Sequence, residues 1–479
     1  MKMIGVMVLA LSAVAGFAEE RIFKAGYAKA DITPPLGVFM PGYFKERFAK
    51  EILDPLEAVC VAFSDGRTTA VILQLDTEAV SDAVAGEMRD AIVKATGIDR
   101  NAIIIHASHT HDGGYLAMQR KTGVAAEGTV SDVYRRMAVT RVADAAVCAI
   151  RDLKNARLSC QRSVARRISF GRRYVMKDGK VRTNPGVNNP DIVKPYGPPP
   201  DEEVQVLRID VEGGNPICVI NFQTHPDVVG NETVTADWPG LTRTVFEAAT
   251  MGKARCIVLN GTQGDVNHVN VMPRPGERNG LKRDFDNVDR GYEHAWHMAN
   301  VLAGAALSVW MKCIPLEAGE VRFATIDVRV PANKAKDSDE KNLEWAEKVW
   351  SMHQAGRDAE LPWKAMELTT EVARARRIIA MSRHAGHHDI PLYGISIGRS
   401  VAFGAFPGEP FNDIGKEIKK SSPFAMTMLS CLSNGSRGYF PFSDAYKTGG
   451  YESATSPFGP TVADDLIAGQ LKLLKQLYR

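Results

Sequence analysis

The sequence predicts an α/β protein of the mixed α+β type, in which multi-strand mixed sheets are covered by helices and a metal site lies at the strand ends. Short apolar runs alternate with helical patterns through most of the chain. Two such runs, "VQVLRIDV" and "ICVINFQTH", are separated only by "EGGNP" and predict an antiparallel hairpin. Several runs end in polar residues, and strand ends are where binding and catalytic residues commonly lie.

The predicted elements follow in order along the chain. "AVCVAF" and "AVILQLDT" predict strands, "AGEMRDAIVKATG" a helix that stops at its glycine, and "AIIIHASHT" a further strand. "VYRRMAVTRVADAAVCAIRDL" has helical spacing, "DWPGLTRTVFEAAT" begins another helix, and "ARCIVLN" predicts the strand after it. Residues 170–202, rich in Gly, Pro and Asn, predict a long surface loop, and residues 338–384 an antiparallel helix pair at the side.

The composition is that of an ordinary globular protein. Of 479 residues, 45% are apolar and 24% charged, and the net charge of +3 gives no reason to expect a nucleic-acid partner. Seven cysteines without a CxxC pair argue against a cysteine zinc site and leave room for one disulfide.

The first residues, "MKMIGVMVLALSAVAGFAEE", have the pattern of a secretory signal peptide. We expect residues 1–18 to be removed after Ala18, and residues 19–479 to form a single catalytic domain that is periplasmic or secreted; an uncleaved anchor is the alternative. No later stretch is long and apolar enough to predict a transmembrane segment.

Three histidines stand together in "HASHTHDGG", residues 106–114, after an apolar run. If the strand continues through them, His109 and His111 face one pocket, while His106 and Thr110 face away from it. His225 ends a second apolar run in "NFQTHPD". "VLNGTQGDVNHVN" ends a third strand in a Gly-rich turn, and "VAFGAFPGEPF" ends a fourth with Glu409. Because imidazole and carboxylate are zinc ligands, these tips predict a shared metal site; structural histidines at solvated strand ends are the alternative.

Six motifs in the same order resemble the catalytic domain of the neutral/alkaline non-lysosomal ceramidases. They are "AGYAKADITPP", "HTHDGG", "THP", "GDVN", "PGEPF" and "GYFPFSDAYKTGGYESATSPFGP", and together they cover most of residues 24–470. The resemblance implies a zinc-dependent amidase with the metal ligands His109, His225, Glu409 and Tyr439. It also implies a catalytic arginine at Arg172, with Arg173 as the alternative, and a second tyrosine at Tyr451. Beside a bound metal, His111, Arg172 and Tyr451 would bind the substrate carbonyl or its developing oxyanion.

The chain departs from the family's pattern at the Gly-Asp turn. Asn267 stands where ceramidases have a serine assigned as a nucleophile, and an amide excludes a covalent acyl-enzyme there. Zinc-activated water would then attack directly and Asn267 would bind the oxyanion, or Asn267 is only a turn residue. The adjacent His268 is either a proton carrier or a surface histidine.

Asp112 and the end of the chain differ from the family as well. Asp112 would orient His111, bind a cationic or hydroxyl-rich substrate, or cap the next turn. The chain ends soon after the last motif, so we expect the family's C-terminal β-sandwich domain to be absent. We see no long apolar segment for a deep acyl-chain channel, which argues against ceramide itself as substrate.

The sequence therefore predicts a secreted zinc hydrolase that cleaves an amide (N-acyl) bond of a small-molecule or lipid-like substrate by zinc-activated water. Two alternatives stay open. One is a catalytically weakened binding protein, which the loss of the family serine would explain. The other is a zinc esterase or lactonase acting on a substrate other than ceramide.

Overall fold

The computed structural model describes residues 22–43, 46–117, 126–275, 277, 282–283, 289–333, 340–384 and 386–479. The predicted signal peptide, residues 1–18, lies outside these ranges. Among the described helices, none combines the length and apolar character needed to cross a membrane.

The helices and strands are given in chain order. The strands are β1 (Lys24–Asp31), β2 (Phe39–Met40), β3 (Arg47–Phe48), β4 (Glu51–Ile52), β5 (Glu57–Ser64), β6 (Thr69–Leu75), β7 (Ile103–Ala107), β8 (Lys154–Val164), β9 (Phe170–Gly171), β10 (Arg173–Met176), β11 (Val181–Thr183), β12 (Ile192–Pro195), β13 (Glu203–Val211), β14 (Ile217–Phe222), β15 (Thr233–Val234), β16 (Arg255–Asn260), β17 (Val266–Asn267), β18 (Lys282–Arg283), β19 (Asp289–Arg290), β20 (Ile314–Leu316), β21 (Val321–Pro331), β22 (His387–Ile397), β23 (Val401–Ala405), β24 (Glu409–Pro410), β25 (Met426–Ser430) and β26 (Tyr439–Phe440). The α-helices are α1 (Asp82–Thr96), α2 (Val130–Arg151), α3 (Asp237–Ala249), α4 (Tyr292–Trp310), α5 (Glu340–Gln354), α6 (Ala365–Ser382), α7 (Asn412–Ser421), α8 (Ser443–Thr448), α9 (Tyr451–Thr455) and α10 (Val462–Tyr478).

A mixed sheet of nine described strands forms the larger half of the core. Its order is β16-β14-β13-β8-β1-β5-β6-β7, with β20 also paired to β8. Two neighbouring pairs are parallel, β14 with β16 and β6 with β7, and the other pairs are antiparallel. The predicted hairpin is confirmed, because β13 and β14 pair antiparallel.

A second sheet, in the order β21-β22-β23-β25, stacks on the first. Alternate residues explain the stacking, since successive side chains of a strand point to opposite faces. Val59, Val61 and Phe63 of β5 join Ile395 of β22 and Phe403 of β23 in one inter-sheet cluster. The opposite face of β5 packs under α1 and α2. The same alternation in β14 places α3 and α4 over the other end of the large sheet.

The described core therefore has four layers: helices, the nine-stranded sheet, the four-stranded sheet, and further helices. The outer helices on the smaller sheet are α7 and α10, whose apolar residues join Leu392 of β22 and Ala402 of β23. The prediction of mixed sheets covered by helices is confirmed. The stacking of two sheets was not predicted, because an apolar run of five to nine residues does not reveal which layer covers each of its faces.

Several local predictions can be compared with the observed elements. Helix α1 begins after Ser81, whose hydroxyl accepts from the Val84 N–H, and ends at Gly97 in the left-handed conformation, as the glycine stop predicts. Helices α5 and α6 pack together as the predicted pair and α6 also packs on α9. The predicted loop over residues 170–202 is wrong in part, since it contains the short strands β9 to β12.

Candidate metal centre

The site lies where strands of both sheets end. His109 and His111 follow β7, His225 follows β14, and these strands belong to the nine-stranded sheet. Glu409 follows β23 and Tyr439 follows β25, which belong to the four-stranded sheet. Residues 431–434 join the two sheets there, through backbone bonds from Cys431 N–H to the Asn260 carbonyl and from Ala107 N–H to the Leu432 carbonyl.

The two histidines of "HTH" converge through a turn and not through strand spacing. Strand β7 ends at Ala107, two residues before His109, so the extended strand assumed from the sequence is wrong here. His109 has φ +76, in the left-handed region that few side chains adopt. Its N–H donates to the Thr77 carbonyl, and the His111 N–H donates to the Pro226 carbonyl. These bonds hold both imidazoles toward the same space.

His106 lies away from that space, as expected. It is fully buried, its Nδ1 lies 2.7 Å from the Cys431 carbonyl, and its Nε2 accepts from the Asn260 N–H at 3.0 Å. Both ring nitrogens therefore form hydrogen bonds to backbone groups where the two sheets meet.

Three candidate ligand atoms form a nearly regular triangle. His109 Nε2 and His225 Nε2 are 3.2 Å apart, and Glu409 Oε2 lies 3.3 Å from the first and 3.2 Å from the second. Zinc bonds of about 2.0 Å in a tetrahedral site place neighbouring ligand atoms roughly 3.3 Å apart. The triangle thus has the size of one face of a zinc coordination tetrahedron.

Hydrogen bonds behind the triangle fix the direction of its histidines. His109 Nδ1 lies 2.8 Å from the Glu78 carbonyl, and His225 Nδ1 lies 3.0 Å from the Gln263 carbonyl. A carbonyl only accepts, so each Nδ1 carries the proton and each Nε2 presents a lone pair to the centre. This backbone orientation is typical of metal-binding histidines.

The charge of Glu409 is favoured by its neighbours. Burial acts to raise the pKa of its carboxyl, but His109 and His225 outweigh that effect and hold the pKa well below its ordinary value. Burial, together with Glu409, raises the pKa of the Tyr439 phenol well above its ordinary value. The Tyr439 hydroxyl lies 3.4 Å from His225 Nε2, which places it beside the triangle.

His111 shares the centre but is held differently. Its Nε2 lies 3.2 Å from His109 Nε2, and the nearest ring nitrogens of His109, His111 and His225 all lie within 4.8 Å of one another. The buried Nδ1 of His111 forms no hydrogen bond with any described residue, so it lacks the carbonyl that orients the other two rings. Gly42 packs against it, because a Cβ at Gly42 would lie 2.8 Å from that Nδ1.

Of the two tandem arginines, Arg172 faces the centre and Arg173 does not. Arg172 Nη1 lies 3.3 Å from His225 Nε2, and its guanidinium carbon lies 5.3 Å from the centre of the Tyr439 ring. Arg173 is stacked against Tyr196 and donates to the Gly449 carbonyl. Tyr451 packs edge to face on Tyr439, with ring centroids 5.7 Å apart.

Asn267, His268 and Asp112 are all buried. Asn267 donates from Nδ2 to Asn184 Oδ1 at 3.0 Å and accepts from the Val269 N–H at 3.0 Å. His268 is 0% exposed, so the interpretation as a surface histidine is wrong; its Nδ1 lies 3.2 Å from Asp227 Oδ1. Asp112 pairs with Arg47 at 3.2 Å and accepts from the Gly230 N–H.

Two residues that support this site were missed from the sequence. The side-chain amide of Gln263 donates to Glu409 Oε2 at 3.3 Å, while the backbone carbonyl of Gln263 accepts from His225 Nδ1. Glu452 accepts from Arg172 Nε at 2.7 Å. Both stand within one or two residues of a recognised motif, in "TQGDVN" and "GGYES", but a single sequence does not reveal which way their side chains point.

We expect Gly264→Ala to loosen the centre. A Cβ there would lie 2.5 Å from the Glu409 carbonyl oxygen and 2.9 Å from that of Pro410, so the Glu409 corner has to shift. Such overpacking costs roughly 1–3 kcal/mol. We expect a lower melting temperature and weaker zinc binding by titration. Gly304→Ala in α4, where a Cβ has nothing within 4 Å, is the matched control and is expected to leave both unchanged or slightly raise stability; equal behaviour of the two variants would contradict the prediction.

Among solved structures, two ceramidases share this arrangement of elements. The crystal structure of neutral ceramidase from Pseudomonas aeruginosa superposes with a TM-score of 0.68 and 15% sequence identity, over 96% of this chain and 74% of that chain. The fold is that of neutral ceramidases. A ceramidase complexed with C2 gives the same TM-score of 0.68 and 15% identity, over 95% of this chain and 75% of that one. No protein-family profile matches the sequence, and no curated protein matches it by sequence.

Proposed function

We propose that this protein is a zinc-dependent hydrolase that cleaves the amide bond of an N-acyl substrate. The observation that carries the proposal is the triangle of His109 Nε2, His225 Nε2 and Glu409 Oε2, with edges of 3.2 to 3.3 Å, on a ceramidase fold. Two imidazoles and one carboxylate are a common catalytic zinc set.

The donor set fits zinc, with His109, His225 and Glu409 as ligands and Tyr439 as the fourth. A bound zinc ion supplies Lewis acidity that makes water nucleophilic near neutral pH. The alternative set of three histidines would include His111. The set with Glu409 is favoured, because His109 and His225 have carbonyl partners at Nδ1, whereas His111 Nδ1 has no partner among the described residues.

The remaining side chains act on the substrate in this proposal. Arg172 presents Nη1 to the centre, and we assign it to the carbonyl oxygen of the scissile amide, where negative charge develops. Tyr451 stays a neutral phenol because burial raises its pKa, so its hydroxyl can donate to the same oxygen. His111 presents Nε2 to the same centre, 3.2 Å from His109 Nε2, and we assign it to the same group that binds the carbonyl.

A lipid-like or small N-acyl compound is the proposed substrate, and export by the N-terminal signal is the proposed route to the periplasm or the exterior. Mass spectrometry of protein recovered from culture fluid or periplasm tests the second point. A mature N-terminus at Glu19 would support export, and intact Met1 in the cell interior would contradict it.

The metal assignment is tested on purified protein. We expect about one zinc per chain by elemental analysis and marked loss of zinc in His109→Ala and His225→Ala. His388→Ala is the control, because His388 lies outside the centre and bonds the Pro457 carbonyl. Zinc contents equal to wild type in both centre variants would refute the assignment.

The reaction is tested with a panel of N-acyl sphingosines, N-acyl amino acids, other N-acyl amines, simple esters and lactones. Zinc-dependent release of a free amine supports the amidase. Turnover confined to esters or lactones would replace it with the esterase alternative, and binding without turnover would favour a binding protein.

We expect Asn267→Ala to lower the melting temperature while zinc content stays intact. The change leaves the buried Asn184 Oδ1 and the Val269 N–H without the Asn267 amide, at a cost of about 1–3 kcal/mol. Because Asn267 is also proposed to bind the oxyanion, kcat per folded molecule is expected to fall by roughly 10²- to 10³-fold. Asn184→Ala breaks one of the same bonds and is the matched control. An unchanged kcat in Asn267→Ala would confine Asn267 to the turn.

A further inference from the structure

A buried carboxylate that is not a candidate ligand lies directly behind the centre. Glu452 is 0% exposed and belongs to the short helix α9. Its Oε1 accepts from Arg172 Nε at 2.7 Å, and its Oε2 accepts from the Thr183 hydroxyl at 2.8 Å. Both carboxylate oxygens are therefore engaged. Arg172 is the closer of the two arginines, since Arg173 Nε lies 3.8 Å from Oε2.

The bond to Glu452 determines which nitrogen of the Arg172 guanidinium faces the candidate metal centre. Arg172 Nη2 donates to the Gly264 carbonyl at 2.6 Å, and Nε donates to Glu452. These two bonds hold two corners of the planar guanidinium, so the third corner, Nη1, points at His225 Nε2. A guanidinium is rigid, and fixing two nitrogens fixes the third.

The same carboxylate is also connected to Tyr451. The Thr183 hydroxyl donates to Glu452 and accepts from the Tyr451 N–H at 3.1 Å. Glu452 is moreover the next residue in the chain after Tyr451. One carboxylate thus connects the Arg172 side chain with the backbone of Tyr451, and both residues are among those that we assign to the substrate carbonyl.

We propose that Glu452 is a positioning residue that holds Arg172 Nη1, through the Arg172 Nε bond, where the oxyanion of the substrate develops. This inference rests on the proposed function, since it assigns Glu452 to the same centre. Glu452 contacts neither the candidate ligands nor the reacting atoms in this arrangement; it acts through Arg172.

A second buried ion pair of the same kind provides a control that distinguishes a positioning role of Glu452 from a general loss of stability. The pair of Arg243 and Asp76 has the same side-chain exposures, 5% and 0%, as the pair of Arg172 and Glu452. It joins α3 to the end of β6, and the described partners of Arg243, which are Gln74, Asp76 and Glu57, lie outside the centre. Removing the Asp76 charge therefore tests whether the loss of any buried ion pair changes the ligand affinity of the centre.

The test uses full-length protein loaded with Co²⁺ in place of zinc, with acetohydroxamate as the probe. The visible spectrum of Co²⁺ reports the ligand set, and its change on titration gives the affinity for the hydroxamate oxygen. We expect Glu452→Gln to leave the spectrum of the hydroxamate-free protein unchanged and to weaken hydroxamate binding by roughly 10- to 100-fold, the range for a bond to a charged group. Asp76→Asn is expected to lower the melting temperature and leave the affinity unchanged.

A double-mutant cycle decides whether Glu452 acts through Arg172. In an Arg172→Ala background, Glu452→Gln is expected to weaken hydroxamate binding no further. Additive losses, or wild-type affinity in Glu452→Gln, would overturn the inference. If Glu452→Gln does not fold, Glu452→Asp keeps the charge, withdraws it by one methylene and is expected to give a smaller loss in the same cycle. Failure of wild-type protein to bind Co²⁺ would instead refute the proposed function.

Discussion

Glu409→Gln is expected to empty the metal centre and abolish hydrolysis. The substitution keeps the size and shape of the side chain, so the corner formed by β24 has no steric reason to change. It removes the negative charge that lies 3.3 Å from His109 Nε2 and 3.2 Å from His225 Nε2. We expect activity on N-acyl substrates to fall by more than the roughly 10²- to 10³-fold that removal of a single oxyanion donor costs.

Zinc content after dialysis and turnover on the same preparation measure this effect. Glu247→Gln is the control, since Glu247 is a part-buried carboxylate that accepts from the Cys256 N–H at 3.0 Å and is not among the candidate ligands. Zinc content and activity like those of wild type in Glu409→Gln would remove the carboxylate from the ligand set and favour the set of three histidines.

Arg243→Met is expected to cost about 3–5 kcal/mol of unfolding free energy, the usual loss when one partner of a buried ion pair is removed. Arg243 Nη1 donates to Asp76 Oδ1 at 3.0 Å and to Gln74 Oε1 at 2.6 Å. Asp76 also accepts from the Gln74 amide and from the Glu57 N–H. Without Arg243, the carboxyl group of the fully buried Asp76 loses its arginine partner.

Denaturant unfolding measures this loss. Arg329→Met is the matched control, because Arg329 pairs with Asp389 at 2.9 Å on the surface, with side-chain exposures of 69% and 48%. An exposed pair of this kind contributes at most about 1 kcal/mol. Similar losses in the two variants would show that burial does not set the contribution of the Arg243 pair.

The apolar periodicity was sufficient to predict the fold class and the main elements. The helices α1, α2 and α3 and the hairpin of β13 and β14 lie where the pattern places them, because each buries one apolar face. The short strands β9 to β12 were missed. They have only two to four residues each, so no period can develop in them.

The sequence predicted which side chains meet at the candidate site and not how they meet; their role as metal ligands stays a prediction. His109, His111, His225 and Glu409 do meet, and the spacing of polar residues at strand tips was the signal. The reason given for "HTH" was wrong, because a left-handed residue and backbone bonds to Thr77 and Pro226 bring the rings together. Such long-range bonds, like that from Glu452 to Arg172 across 280 positions of sequence, leave no local pattern.

The candidate ligands come from two stacked sheets, and this has a mechanical consequence. His109 and His225 follow strands of the larger sheet, whereas Glu409 follows a strand of the smaller one. An ion bound to all three would act as a cross-link against sliding, since one residue of strand slippage displaces a ligand by about 3.3 Å. Amide hydrogens of both sheets would then exchange as one cooperative unit in loaded protein. Removal of the metal by a chelator would let the amide hydrogens of each sheet exchange with solvent at a rate set by that sheet alone.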